Sequence, residues 1–517
     1  MKVVLVSTDY TKVAMGVRTL SSCLLEQGFA TSIVLMQDEN YKKFQWEGLY
    51  SVCKDADLIG ISCMTHSVKK AIEVKQALES RTSAKCVIGG IHASLDPESL
   101  LEYFDLVCHG EGEDVIVELA RCLSNMERYD DIQGLWIKNA SKVTRNQSIP
   151  LQRNIDKYPL PDYDLKHQFI IEGNHLVPMK PVPLHIEVDS FVVLGSRGCP
   201  HHCNYCSNQK LKQDFAWRKR VRHYSIDYLI NHLKSVCRTF PMVRSFWIED
   251  DTFFAKKIEN IEEFAQRYKK EIGKPFKVLI SPWTYKEEKI KPLIDAGMNE
   301  LIMGIQSGSE NVNKNIYGRN LSNDKILKIA YSLHKYSPMT IYYDFIVLNP
   351  FETVDDLVST IRFMKKLPTP FFIFNNSLAF YPKTQLYEWA VKEGLDVSRR
   401  VQHFPSYIGY DVLRYENIHH KILHFVLLLM AGKASSFRIG KIPRVLTSEP
   451  FIYFYKLIDT KTTNRVVTIL CSLLVYVRWK MIIKKLLGPK LTRKLMLMSY
   501  KLRDLKEDLM AMRVMVK

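Results

Sequence analysis

With 517 residues and 46% hydrophobic content, the chain is long enough for two to four domains with substantial cores, which excludes a disordered or low-complexity protein. Its net charge of +18 is unevenly spread: residues 417–517 hold 20 Lys or Arg against 5 Asp or Glu, leaving the first four-fifths close to neutral. That asymmetry speaks against a nucleic-acid-binding catalytic face and for a basic appendage with its own partner.

Met1-Lys2 leads straight into Val3-Val4-Leu5-Val6, without the longer apolar stretch and small-residue cleavage site of a secretory signal. Of eleven cysteines, outlying ones such as Cys63, Cys86 and Cys108 fall in apolar strand-like runs and are expected as buried free thiols. A reducing, cytoplasmic setting is therefore expected.

Residues 1–140 alternate short apolar runs with amphipathic ones. The pattern predicts strands over 2–7, 31–36, 57–63, 85–89 and 105–108, with helices over 17–27, 68–80 and 114–123. Strands and helices alternating at this spacing imply an α/β fold with a doubly wound parallel sheet, which binds ligands at the carboxyl ends of its strands. Small and polar residues collect there: Ser7-Thr8, Ser62, Gly89-Gly90-Ile91-His92 and Gly110-Glu111-Gly112-Glu113. Such glycines let backbone approach a large flat ligand, and they also simply make turns. No G-x-G-x-x-G opens a helix after the first strand, so a dinucleotide is not expected. Residues 141–190, with Tyr158-Pro159-Leu160-Pro161, read as a linker.

The run Phe191-Val192-Val193-Leu194 then delivers Gly198-Cys199-Pro200-His201-His202-Cys203-Asn204-Tyr205-Cys206. Three cysteines spaced Cys-x3-Cys-x2-Cys on one loop can turn three soft thiolates toward one centre, which selects zinc or an iron–sulfur cluster. A structural zinc needs a fourth ligand, which His201 or His202 could supply, whereas a [4Fe–4S] cluster with three protein ligands keeps one iron open. Further strands are predicted over 244–248, 276–281, 300–304, 340–347 and 371–378, with helices over 226–237, 258–268, 325–334, 354–365 and 385–393. Six consecutive strand–helix units over 191–394 imply a partial (β/α)6 barrel, with functional groups at its strand ends. Those ends carry Glu249-Asp250-Asp251, Ser281, Gly304-Ile305-Gln306-Ser307-Gly308 and Asn349-Pro350. Asp251 is also placed to cap a helix.

The cysteine spacing, with Tyr205 before the third cysteine, resembles the radical S-adenosylmethionine (SAM) enzymes. The resemblance implies a cluster on Cys199, Cys203 and Cys206 whose open iron chelates SAM. It further implies SAM contacts from Tyr205, Glu249, Asp250, Ser281, Gly304 and Gln306. Gly-Gly-Ile-His-Ala followed by Gly-Glu-Gly-Glu resembles the cobalamin-binding domain that precedes many such cores, and the Pro-x-Pro bridge fits it. Cobalamin contacts are then expected from Ser7, Ser62, Gly89, Gly90, His92, Gly110, Glu111 and Gly112. The Asp-x-His-x-x-Gly motif of classical cobalamin domains is missing, since Asp9-Tyr10-Thr11 stands there. His92 is expected to hydrogen-bond within its loop. Leu348-Asn349-Pro350-Phe351-Glu352-Thr353 and Tyr381-Pro382-Lys383-Thr384 also depart from the family's glycine-bearing patterns, which leaves the substrate pocket open.

Together the resemblances imply a methyltransferase acting on an unactivated carbon through a 5′-deoxyadenosyl radical. It would need a flavodoxin- or ferredoxin-type reductant protein and no nucleic acid. Ring closure or rearrangement with the same parts, and a metal-binding sensor without turnover, remain the alternatives. Residues 395–517 read as basic and helical, with apolar runs at 422–430 and 466–477. Twelve helical residues reach only about 18 Å, short of the roughly 30 Å hydrocarbon core. Such helices lie on an anionic membrane surface, cap an apolar substrate channel, or pack back on the barrel. Peripheral attachment at the inner face of the membrane and an apolar, lipid-like substrate follow from the first of these.

Overall fold

The near-continuous Val, Ile and Leu runs of the first segment belong in a parallel sheet covered on both faces. The computed structural model describes residues 1–9, 13–37, 44–181, 190–215 and 221–397. Strands β1 (Lys2–Ser7), β2 (Ala30–Leu35), β3 (Leu58–Ser62), β4 (Lys85–Gly89) and β5 (Leu106–Cys108) run parallel in the order β5-β4-β3-β1-β2. Val4, Val6, Ile59 and Ile88 are sealed from solvent and pack with Leu49, Val74 and Phe104. The order reverses at β1, the place where open sheets of this kind bind ligands.

Four more strands extend this sheet. β6 (Leu135–Asn139) and β7 (Lys142–Arg145) add antiparallel beyond β5; β8 (Gln168–Glu172) pairs parallel with β2, and β9 (His175–Pro178) closes that edge. The segment expected to be a linker is thus partly sheet, because Phe169, Ile170 and Ile171 cover an edge that β2 would otherwise leave open. Fully buried Arg18 bolts the Pro-x-Pro stretch to the sheet, its guanidinium donating to the Val13 and Asp162 carbonyls and to Gln168 Oε1.

The second sheet is six-stranded and all parallel: β10 (Ser190–Val193), then β13 (Ser245–Ile248), β14 (Phe276–Ile280), β15 (Met298–Gln306), β16 (Thr340–Val347) and β17 (Phe372–Ser377), in that order. Between β10 and β13 the short β11 (Ser196–Arg197) and β12 (Arg222–His223) pair antiparallel and bracket the cysteine loop. Side chains alternate by strand period. Phe246, Ile248, Val278, Ile280, Leu301 and Met303 are sealed under helices, whereas Val192, Trp247, Leu279, Tyr342 and Phe374 on the other face are half-buried. The inner face of the sheet is therefore open.

A charge cluster fastens one sheet to the other. Arg197 meets Glu113 at 2.6 Å and Glu111 at 3.1 Å, and Arg222 meets Glu111 at 2.6 Å. Burial alone would push the Glu111 carboxyl up, yet Arg222 and Arg197 together hold it below the ordinary carboxylate range. The basic C-terminal helices expected from the sequence lie outside the described residues. Among those described, no helix is long and apolar enough to cross a membrane.

Glu111→Gln should lower the unfolding free energy by about 2–3 kcal/mol at pH 7, somewhat less than a fully buried pair loses with one partner. Because the Glu111 pKa is depressed, the wild-type advantage should be full above its unfolded value and fade as pH falls through the lower folded value. Urea denaturation at pH 7 and near pH 4 checks both.

Candidate active site

The cysteine loop leaves β11 at Gly198, which has a positive φ of 91°. It is pinned from the far side of the second sheet: Asn204 N donates to Tyr317 O at 3.0 Å, Asn204 Nδ2 to Ile316 O at 3.0 Å, and Leu386 N to Asn204 O at 3.0 Å. Gly318 must be glycine here, since a Cβ would stand 2.8 Å from Asn204 Oδ1. Within the loop Cys206 N donates to Cys203 O, and Tyr205 meets Tyr317 edge-on at 5.1 Å.

Burial pushes the Cys199 and Cys206 thiols up to about 12, with Asp251 and the neighbouring cysteines adding to it. Such groups become thiolates only beside a strong positive charge, which metal ligation supplies. One such charge is present: the buried Arg319 guanidinium donates to Cys203 Sγ at 3.7 Å, to Tyr205 OH at 3.4 Å and to Gly304 O at 2.7 Å. Among the described residues no three His, Cys, Asp or Glu side chains converge tightly enough to hold a single metal ion. Three soft thiols carried on one loop are a donor set of the kind that suits an iron–sulfur cluster. His201 instead stacks on Trp283 at 4.6 Å, and burial drops its pKa to about 4.

The three acids after β13 part company by strand alternation. Glu249 is open to solvent yet ringed by protein, which pushes it up to about 7; Lys277 opposes this, while Asp251 and Asp9 add to it. Asp251 is raised by the same enclosure and neighbours Cys199 and Cys206; it caps no helix, Thr252 standing before the next turn. Asp250 points the other way: it is sealed, ion-paired with Lys256, and accepts from Gly195 N at 2.6 Å. It does not face the open side, as the sequence expectation required. Its carboxylate is occupied in holding the strand that delivers the cysteine loop.

Ser281 is buried at the end of β14, its Oγ accepting from Trp283 N at 3.4 Å. Gln306 sits at φ +73°, its Nε2 donating to Asp344 Oδ2 at 3.4 Å while its Oε1 is buried without a partner. Asp344 also accepts from Asn376, and its enclosure raises it to about 6. Glu352 rises to about 8, through burial and then Asp356, with Ser307 opposing. Sequence reasoning missed Arg319 and Asp344. An acid within the apolar strand Thr340–Val347 was an available signal for the second, whereas nothing local marks the first.

On the first sheet, Ser7, Ser62 and Gly89 share the strand-end edge. Exposed Met64 and Ile91 border it, an apolar rim that suits a large flat corrin. His66, not flagged by sequence, pairs with Asp9 there at 2.9 Å, and the charge of Asp9 reaches Glu249. The strand-end regions of the two sheets also pack on each other, Leu95 after β4 meeting Leu211 and Phe215 after the cysteine loop. Gly90 is glycine because a Cβ would lie 2.5 Å from Cys63 O. His92 turns inward, but its partner, Thr65 Oγ1 at 3.4 Å, stands on the neighbouring segment after β3 and not in its own loop as expected. A Cβ at Gly110 would press on Phe215 at 3.1 Å, and Gly112 precedes the helix Glu113–Ser124. Glu111 belongs to the charge cluster between the sheets. Gly90, His92, Gly110 and Glu111 thus have packing partners of their own.

Asp250→Asn leaves Lys256 as an unpaired buried charge and should cost about 3–5 kcal/mol of stability. Glu249→Gln should instead gain stability relative to wild type as pH rises from 5 to 8.5. Its carboxyl has a raised folded pKa, so the wild type loses stability as pH climbs through about 7. Urea denaturation of both variants across that range checks the contrast.

Comparison with known proteins agrees with this geometry. The sequence model of the radical SAM superfamily matches residues 193–364, and that of the B12 binding domain matches residues 1–120. An uncharacterized methyltransferase of Pyrococcus horikoshii, PH0819, is 29% identical over 346 residues, 66% of this chain and 71% of that protein. The bacteriochlorophyllide d C-8(2)-methyltransferase of Chlorobaculum tepidum is 23% identical, over 70% of this chain and 73% of its own. Two solved structures share the fold at 16% identity. OxsB, a cobalamin-dependent S-adenosylmethionine radical enzyme, superposes with a TM-score of 0.66 over 94% of this chain and 80% of its own. The methyltransferase TsrM of Kitasatospora setae, solved with cobalamin and a [4Fe–4S] cluster bound, gives 0.59 over 76% of this chain and 75% of its own. With the two sequence models together taking in more than half of its length, the chain belongs to the cobalamin-binding radical SAM enzymes, whose cofactors are a [4Fe–4S] cluster, SAM and cobalamin.

Proposed function

We propose that this enzyme transfers a methyl group to an unactivated carbon of a largely apolar small molecule. The observation that carries the proposal is the meeting of two strand-end edges, one bearing the cysteine loop and the other the Ser7, Ser62 and Gly89 rim, with Asp9 within electrostatic reach of Glu249. Support for methyl transfer comes from the P. horikoshii and C. tepidum methyltransferases, and support for a small-molecule substrate from TsrM with tryptophan bound.

Cys199, Cys203 and Cys206 would ligate the cluster, with Arg319 balancing thiolate charge beside Cys203. Tyr205, Glu249, Ser281, Gly304 and Gln306 would line the SAM side, joined by Asp344. Ser7, Ser62 and Gly89, with Met64 and Ile91, would carry the corrin. When bound, these groups supply a 5′-deoxyadenosyl radical and a transferable methyl, chemistry that side chains alone cannot provide. The chain's own part is to hold them over the apolar inner face that Trp247, Leu279, Tyr342 and Phe374 supply. A flavodoxin- or ferredoxin-type protein would deliver the electron. The basic region 417–517 would draw the enzyme to anionic membrane surfaces, where an apolar substrate resides; anionic liposomes should bind the full chain at low salt and release it at high salt.

Anaerobically reconstituted protein should be brown with about four irons per chain, the number in one [4Fe–4S] cluster. Alanine at Cys199, Cys203 or Cys206 should abolish the colour, whereas alanine at Cys63 should not. With cobalamin loaded as the methyl acceptor, SAM and a low-potential reductant, both 5′-deoxyadenosine and S-adenosylhomocysteine should form. The first without the second would favour ring closure or rearrangement. A colourless protein with one zinc and neither product would favour a non-catalytic sensor.

A further inference from the structure

On the floor of the open inner face stands Lys277, in register with Glu300 of β15 yet with no hydrogen bond or ion pair to it or to any other described residue. Lys277 projects from β14 on the same side as Leu279 and Ser281, opposite Phe276, Val278 and Ile280, which are sealed beneath helices. It is 91% buried by its 9% exposure, and its Nζ lies 4.1 Å above the centre of the Trp247 ring. The other buried lysines described do have such partners: Lys256 holds Asp250, Lys289 the Phe254 and Lys256 carbonyls, Lys70 the Met36 carbonyl and Lys212 the His201 carbonyl. Trp247 adds a second unspent donor in the same layer, since its Nε1 is buried without a hydrogen-bond partner among the described residues. Buried donors left unmatched call for an explanation, and a ligand is one.

The surroundings narrow the ligand. Glu300 and Glu249 influence Lys277 from beyond ion-pair distance. A dianion such as a phosphate monoester would face two acids with one lysine, where such groups usually take bidentate arginine or several cations. A single carboxylate matches one ammonium. Above the lysine the face is apolar: Leu279, then Ile302, and Tyr342 stacked on Phe374 at 4.8 Å and beside Phe372 at 5.3 Å.

We infer that the substrate is an apolar monocarboxylic acid, its carboxylate accepting from Lys277 at the floor and its hydrocarbon or aromatic body lying along Leu279, Ile302, Tyr342 and Phe374. This rests on the methyl-transfer function proposed above and adds the substrate's chemical class. Lys277 is then a specificity-determining residue that fixes which carbon lies toward the strand ends.

The test measures binding calorimetrically to full-length, anaerobically reconstituted protein, using decanoate and 3-phenylpropionate against their methyl esters. At least one acid should bind at least tenfold more tightly than its ester. Lys277→Met should erase that preference, Lys277→Arg should keep it, and Trp247→Phe should weaken it severalfold. Iron content and unfolding midpoint of each variant show that it has folded. Binding by neither acid, binding indifferent to esterification, or a preference that survives Lys277→Met would overturn the inference. Formation of 5′-deoxyadenosine by wild-type protein is scored separately. A Lys277-dependent acid site without SAM cleavage would count against the radical function and not against the site.

Discussion

The cluster of Arg197, Arg222, Glu111 and Glu113 is the constraint on which the rest depends. Two parallel sheets each gather their chemistry at the carboxyl ends of their strands, and neither end is useful until it faces the other. The arginines stand on the two short strands that bracket the cysteine loop, and the acids follow β5, Glu111 on the loop and Glu113 at the start of the next helix. One set of ion pairs therefore fixes both the distance between the sheets and the pose of the loop. Their burial is what gives these pairs weight, since exposed pairs contribute little.

From that clasp the packing runs inward. Helix Ile91–Leu95, after β4, lies against helix Ser207–Asp214, after the third cysteine, through Leu95, Leu211 and Phe215. On the other flank Tyr163 stacks on His232 and bonds its Nε2 at 2.7 Å, so the Pro-x-Pro segment is packed against the second sheet as well as the first. The space between is bordered by carboxyls held near neutrality: Asp344 at about 6, Glu249 at about 7 and Glu352 at about 8. Each is raised chiefly by enclosure, the signature of groups lining a recess that a ligand completes.

Much of this was legible in the sequence, and the losses have physical causes. Strands β1, β4 and β16 match their expected limits to the residue: β1 and β4 are short apolar runs bounded by polar or glycine positions, and β16 alternates sealed and half-buried residues with the period of a strand. The outer strands β6 to β9 escaped notice because, toward the margins of the sheet, only part of each strand's surface is buried. Three adjacent acids after Ile248 were read as one group, although the two-residue period of a strand sends Glu249 and Asp251 one way and Asp250 the other. Glu111 looked like a ligand residue since its loop is glycine-rich. Its partner Arg222 lies 111 residues away, and no local pattern carries such information. The cysteine loop was legible because metal ligation demands spacing, and spacing is written in sequence.

The central claim is that one chamber, closed between the two strand-end edges, brings cobalamin and the iron–sulfur cluster close together. Pulsed paramagnetic resonance on full-length protein carrying Co(II) cobalamin and reduced cluster tests it most directly. The account predicts a dipolar coupling between the two paramagnets that disappears when Cys203 is replaced by alanine. Two independent, uncoupled signals from a protein fully loaded with both groups would contradict it.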